Sequence, residues 1–167
     1  YGAVSISQLV AEAGVSRQSL YRRWPGKAEL VLETFLEAAG DPPPLTRAED
    51  APAAVEAFLN TIFAHLAVDR PAMRSLIAEA QLDPKFRERF HRRFIIPRED
   101  LLIALLTRAR DLGALPAEAD PRLLSDMVHG AFWYRMLNDR PTDATLARAL
   151  TRTVFPGADL PPLDRAA

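Results

Sequence analysis

The sequence predicts an all-α protein, and three observations carry that expectation. Apolar residues recur at helical spacing through most of the chain. No segment shows the apolar–polar alternation of a strand. Proline and glycine fall between the periodic segments more often than inside them.

The elements follow in order. A first helix is expected over about 5–13, where Ser5 and Gln8 have capping-box spacing and Gly14 supplies a stop. A short helix over about 17–24 has Ser16 as its N-cap and Pro25-Gly26 as its end. A third, over about 27–39, shows one apolar face through Leu30, Val31, Thr34, Phe35 and Ala38. The run Pro42-Pro43-Pro44 cannot continue a helix, so a boundary is expected there, separating a unit over 1–40 from a larger one over 46–160.

Beyond the break, Val55, Phe58, Leu59, Ile62, Phe63 and Leu66 fall on one helix face. Pro71 opens the next helix, which holds Met73, Leu76, Ile77 and Ala80. Asp83-Pro84 pairs a capping side chain with a proline suited to the first helical turn, and a long segment then runs to about Leu112, with a kink expected at Pro97. Asp120-Pro121 repeats the start signal ahead of Leu123, Leu124, Met127, Val128, Ala131, Phe132 and Met136. A last helix is expected over about 143–154, before Pro156-Gly157, with a loose tail beyond Leu160.

Composition narrows the class. The 167 residues are 49% hydrophobic and 26% charged, as in a globular protein and unlike a disordered chain. Cysteine is absent, which excludes disulfide frameworks, thiolate metal sites and cysteine nucleophiles. No uncharged apolar run approaches the ~20 residues of a membrane span, and the N-terminus has no signal-peptide pattern. The opening lacks a Met, which points to a natural chain extending upstream. A cytoplasmic protein with no membrane partner is the expectation. The net charge of -1 argues, by itself, against a nucleic-acid partner.

Local charge reverses that argument. From Leu9 to Tyr21 the chain spells helix, glycine turn, helix, the outline of a helix-turn-helix. Gly14 permits the sharp reversal, Val15 fills the angle, and Leu9, Val10, Ala13 and Leu20 cover the inner faces. Arg17, Gln18, Tyr21 and Arg22 are left facing outward, where a major groove would lie. Between Gly14 and Lys27 stand four basic residues (Arg17, Arg22, Arg23, Lys27) and no acidic one. Subtracting those 4 from 21 leaves 17 basic against 22 acidic residues elsewhere, a net of -5. A local +4 on a negative protein is the footprint of a phosphate-contacting surface. A helical hairpin with a solvated basic face is the competing reading.

Residues 5–36 closely resemble the DNA-binding domain of the TetR family of transcriptional repressors. The resemblance lies in apolar-x-Ala-x-Ala-Gly-Val-Ser, then Ser-Leu-Tyr-Arg-Arg-Trp at 19–24, then Pro-Gly-Lys-x-x-Leu at 25–30. It implies that Arg17 and Gln18 read base edges, chemistry that suits guanine and adenine respectively. It further implies that Ser5, Ser16, Ser19, Tyr21 and Arg22 add base or backbone contacts, and that Arg23 and Lys27 grip phosphate. Two departures stand out: the family's helix ahead of residue 1 is missing from this chain, and Val10 occupies a position where the family often has Ala.

The second unit resembles a TetR-type ligand domain more loosely, through Asp120-Pro121-Arg122-Leu123-Leu124 and Phe132-Trp133-Tyr134-Arg135-Met136-Leu137. Residues 127–134 carry no fixed charge, and a helix apolar nearly all round must be covered on more than one side. The resemblance implies a homodimer through the last two helices, with Leu123, Leu124, Met127, Val128, Ala131, Tyr134, Leu146 and Leu150 at the interface. A central helix in a monomeric core is the alternative. It also implies a small-molecule effector, with Phe58, Ile62, Phe63, Leu66, Met73, Ile77, Phe86, Phe90, Phe94, Leu102, His129 and Trp133 as pocket candidates; core packing competes for each. The basic cluster Lys85, Arg87, Arg89, Arg92, Arg93 and Arg98, alternating with Phe86, Phe90 and Phe94, reads as the solvated side of an amphipathic helix.

Catalysis is not expected. His65, His91 and His129 lack partners at metal spacing, Glu88-x-x-His91 has no second copy, and neither a hydrolase elbow nor a phosphate loop is present. No cofactor or metal is expected. The expected partners are double-stranded operator DNA, a second copy of the chain and an unidentified small molecule. A helical interaction protein with a degenerate DNA-reading head is the alternative function.

Overall fold

A computed structural model describes Gly14 and residues 16–36, 46–68 and 70–160. The expected first helix, Ser5 and Val15, the Pro42–Pro44 break and the tail beyond Leu160 lie outside the described residues. Among the described residues there are helices and no strand, so the fold is all-α.

The helices are α1 (Arg17–Arg23), α2 (Lys27–Leu36), α3 (Ala51–Ala67) after a short 3-10 turn, α4 (Arg70–Leu82), α5 (Pro84–Phe90), α6 (Ile96–Asp111), α7 (Pro121–Leu137) and α8 (Ala144–Val154). Their starts are set by side chains that accept otherwise orphaned amides. Asp83 accepts from the Lys85 N–H at 2.8 Å, Asp120 from Arg122 at 2.9 Å and Asp143 from Thr145 at 3.0 Å. Proline follows directly in α5 and α7, where its missing donor costs nothing. The irregularity expected at Pro97 takes the form of a π-helical turn over His91–Ile95, just ahead of it. Proline cannot donate to the preceding turn, and a π turn rearranges the hydrogen bonds there.

The chain divides into two compact units. One contains residues 14–36 and 70–95, the other 46–68 and 96–160. In the first, α2 packs on α4, α5 and the π turn, burying Leu32, Phe35, Met73 and Leu76. A phenylalanine column runs through this core: Phe86 stacks on Phe90 at 5.9 Å, Phe90 on Phe94 at 5.1 Å, and Phe35 meets Phe94 edge-on at 6.5 Å. Outside the column, Arg89 pairs with Glu29, and Arg93 pairs with Glu33 at 3.1 Å. Both acids and both bases are spaced i, i+4, so the two pairs form successive rungs that fix α2 in register against α5 and the π turn.

In the second unit α3 packs against α6 and α8, and α6 against α7. Val55, Phe58, Leu59, Ile62, Phe63 and Leu66 are all buried, as their spacing predicts. Phe63 stacks on Phe132 at 4.7 Å, and Trp133 meets Phe132 edge-on. An ion pair is buried here: Arg148 of α8 donates to Glu56 of α3 through Nη2 at 2.8 Å and Nε at 3.1 Å. Their side chains are only 12% and 10% exposed.

Candidate nucleic-acid interface

The reading element is seven residues long, so one buried contact and one cap decide its orientation. Gly14 has φ 62°, a left-handed conformation that L side chains rarely adopt, and it turns the chain ahead of α1. The Ser16 side chain accepts the Ser19 N–H at 3.0 Å and caps the helix. Leu20 is 5% exposed and anchors the inner face. The remaining side chains of α1 are left to solvent. Arg17, Gln18, Ser19, Tyr21, Arg22 and Arg23 are all exposed, as is Ser16.

The end of α1 is shaped by Trp24, over whose ring the Arg23 guanidinium lies at 4.8 Å. Lys27 is the first residue of α2, half-buried behind Pro25-Gly26. Arg17, Arg22, Arg23 and Lys27 therefore share one segment from which acids are absent. A cleft of about 510 Å³ lies behind it, with Lys27, Lys85 and Arg89 set against Glu29, Glu79 and Asp83. Its lining holds three basic and three acidic side chains, whereas the exposed side chains of α1 include three arginines and no acid.

The pocket candidates divide between the two units. Phe58, Ile62, Phe63, Leu66, Leu102, His129 and Trp133 fall in the larger unit; Met73, Ile77, Phe86, Phe90 and Phe94 fall in the smaller. Most are buried, while Ile77, His129 and Trp133 are half-buried. His129 bonds through Nδ1 to the Ser125 carbonyl at 3.0 Å and approaches the Ser125 hydroxyl at 3.2 Å. Burial pushes its pKa down, against the opposing pull of that carbonyl and of the Glu99 and Asp126 carboxylates. Among the described residues no group of three or more His, Asp or Glu is arranged to hold a metal ion.

The interface candidates also separate. Val128 and Leu146 are buried within the protomer, and Leu124, Ala131 and Leu150 are half-buried. Leu123, Met127 and Tyr134 are 56%, 52% and 58% exposed. Gly130 sits among these three in the middle of α7, with a helical φ and nothing within 4 Å of an added Cβ. A glycine there costs about 0.5–1 kcal/mol relative to alanine, and nothing inside the protomer requires it.

Sequence reasoning missed the roles of Arg89, Arg93 and Arg98. The first two are ties to Glu29 and Glu33, and not members of a uniformly solvated face. Arg98 is 5% exposed, and loss of solvation pulls its pKa down to about 10, which still leaves it charged at neutral pH. The partners of Arg89 and Arg93 lie far away in sequence, so no local signal marks them.

Residues 1–34 match the N-terminal domain of the bacterial regulatory proteins of the tetR family, and residues 48–154 match a tetracyclin repressor-like C-terminal domain. The chain is 28% identical over 163 residues to an uncharacterized HTH-type transcriptional regulator of Bacillus subtilis, YdeS, covering 94% of this chain and 80% of that one. It is 26% identical over 162 residues to another, Rv1556 of Mycobacterium tuberculosis, covering 93% and 78%. Among solved structures, the TetR family transcription regulator SCO0332 superimposes with a TM-score of 0.68 at 25% identity, over 95% of this chain and 88% of that one. PfmR of Thermus thermophilus superimposes at 0.66 with 21% identity, covering 96% and 92%, a likeness of fold. With a basic helix-turn-helix segment followed by a larger helical unit, and with both parts matched, the chain belongs to the TetR family of transcriptional regulators.

Proposed function

We propose that this regulator is a repressor that binds palindromic operator DNA as a homodimer and is released by a small molecule. One observation carries the proposal: α1 has a single buried anchor, Leu20, and turns Arg17, Gln18, Tyr21 and Arg22 to solvent inside a +4 segment. In the proposed complex Arg17 and Gln18 specify bases, and Ser19 and Tyr21 add base or phosphate contacts. Arg22, Arg23 and Lys27 supply grip, and Ser5 and Ser16 touch the backbone. One seven-residue helix reads too few base pairs for useful specificity. Two helices related by a two-fold axis read a palindrome, which is why the dimer belongs to the mechanism.

Residues 1–40 form the reading domain in this account, and 46–160 the ligand-binding and dimerising domain. Within the larger unit, the effector's candidate contacts are Phe58, Ile62, Phe63, Leu66, Leu102, His129 and Trp133. Release requires that the effector bind the DNA-free arrangement more tightly than the DNA-bound one. The protein acts where its operator is, in the cytoplasm, and it regulates by binding without catalysis.

Selection from random duplex DNA by the full-length chain tests the reading. Enrichment of a palindrome whose half-sites lie about one helical turn apart is the expected result. Recovery of unenriched sequence would transfer the role to protein–protein interaction with a degenerate reading head.

A further inference from the structure

The first acid after the basic segment is Glu29, two residues beyond Lys27. Its Oε1 accepts from Arg89 of α5, and its side chain is only 12% exposed. Its Oε2 folds back over the Pro25-Gly26 turn, 2.9 Å from where a Cβ on Gly26 would stand. The Gly26 backbone is not left-handed, so the glycine here makes room for a carboxylate.

That carboxylate lies at the start of α2, beside the lysine that grips phosphate in the proposed complex. Left unpaired, it would repel the phosphate. The cleft behind the segment shows what the pairing decides: Lys27, Lys85 and Arg89 stand against Glu29, Glu79 and Asp83. Removing Arg89 leaves two cations against three acids, and removing Glu29 leaves three against two. Arg89 is held in place by its neighbours, since Phe86 and Phe90 of the same helix are buried and stacked. We infer that Arg89 is a positioning residue of the DNA interface and acts through Glu29: it holds the carboxylate against Gly26 and cancels its charge, so that phosphate can be held at Lys27. This rests on the DNA-binding reading above and adds a residue sixty positions away from the acid it controls.

A carboxylate two residues from the gripping lysine lies roughly 9 Å from the phosphate, given a helical rise of about 1.5 Å per residue and the reach of the two side chains. Coulomb's law at an effective dielectric of about 60 then gives roughly a threefold change in affinity per protomer, or about eightfold for a dimer, before screening. Arg89→Gln, Glu29→Gln and the double variant of the intact chain are titrated by fluorescence anisotropy against the operator selected above and against a random duplex. The salt concentration runs from about 50 to about 300 mM, across which the Debye length falls by more than half.

At about 50 mM salt Arg89→Gln is expected to bind both duplexes about three- to eightfold more weakly than wild type, and Glu29→Gln several-fold more tightly. The double variant should lie within about twofold of wild type, and both single-variant differences should shrink below about twofold at about 300 mM. A tie that only braces the fold predicts weaker binding on loss of either partner. Glu29→Gln binding no more tightly than wild type would therefore overturn the inference, as would an Arg89→Gln deficit that persists unchanged at high salt. Glu29→Gln keeps every cation, so it decides the case alone if Arg89→Gln does not fold. A wild type that enriches no operator would overturn the DNA-binding reading itself, and the inference with it.

Discussion

Arg148→Met isolates the buried ion pair that ties α8 to α3. Methionine keeps most of the aliphatic volume, so the change removes charge and donors more than packing. Glu56 is 7% exposed, and Arg148 donates to it through two nitrogens at 2.8 and 3.1 Å. Breaking such a pair from one side leaves a buried carboxylate uncompensated, at a typical cost of about 3–5 kcal/mol. A cleft of about 220 Å³, lined by the pair together with Ala53, Ala57, Asn60 and Leu160, is large enough for water to solvate an orphaned carboxylate, which would lower that figure. A destabilisation of about 2–3 kcal/mol follows.

The double variant Glu56→Leu/Arg148→Met removes both charges and should return to within about 1 kcal/mol of wild type, because well-packed apolar residues replace buried pairs at little cost. Urea unfolding at one fixed protomer concentration measures both, since the stability of the proposed dimer would depend on concentration. A single variant that loses less than about 1 kcal/mol would refute the argument, as would a double variant no better than the single. Either result would show that the Glu56 carboxylate does not depend on Arg148 for its place in the core.

Four further outcomes follow from the same geometry. Ser16→Ala removes the cap of α1 and should cost about 1 kcal/mol of local helix stability. Affinity for DNA should fall several-fold while its salt slope stays unchanged, and an altered slope in salt titrations would show that Ser16 acts through phosphate charge. Lys27→Ala should flatten the salt dependence by about 0.9 per lost phosphate contact, roughly 1.8 per dimer, shrinking the affinity loss between about 50 and 200 mM salt about tenfold; an unchanged slope would remove Lys27 from the contact set. His129, whose pKa is depressed below its usual value near 6.5, stays neutral in the fold at a pH where the unfolded chain takes up a proton. Stability should therefore be flat above about pH 6.5 and fall as the pH drops below it; His129→Gln should remove that part of the slope in urea midpoints from about pH 5 to 7, and an identical profile would contradict it. Arg93→Gln should cost only about 0.5 kcal/mol, because Arg93 is more than a third exposed and Glu33 close to it, and a loss above about 2 kcal/mol in thermal unfolding would show a larger role.

The reading head was legible because its determinants are local. The cap at Ser16, the anchor at Leu20 and the Pro25-Gly26 stop lie within eleven residues, and local charge separates this segment from a protein whose total is -1. The helices of the larger unit were legible from apolar period, and the buried run from Val55 to Leu66 matches it residue by residue. Period reports that a face is covered without saying by what. Met73, Phe86 and Phe94 therefore joined Phe58 and Leu102 among the pocket candidates, although contacts divide them between two units. In α7, apolar nearly all round, the same blindness placed buried Val128 beside exposed Leu123 and Met127. The Glu29–Arg89 and Glu33–Arg93 rungs each join residues sixty apart, and no spacing rule connects them.

The central claim is that α1 reads sequence through Arg17 and Gln18 while Lys27 and its basic neighbours hold the duplex. Binding of wild type, Arg17→Ala and Lys27→Ala to a randomised library built on the selected operator tests it most directly. Arg17→Ala is expected to lose preference at one base pair in each half-site, at about 1–3 kcal/mol of discrimination. Lys27→Ala is expected to weaken every duplex by a similar factor and to leave the preference profile unchanged. Identical profiles for the two variants, or a Lys27→Ala protein that changes its preferred bases, would contradict it.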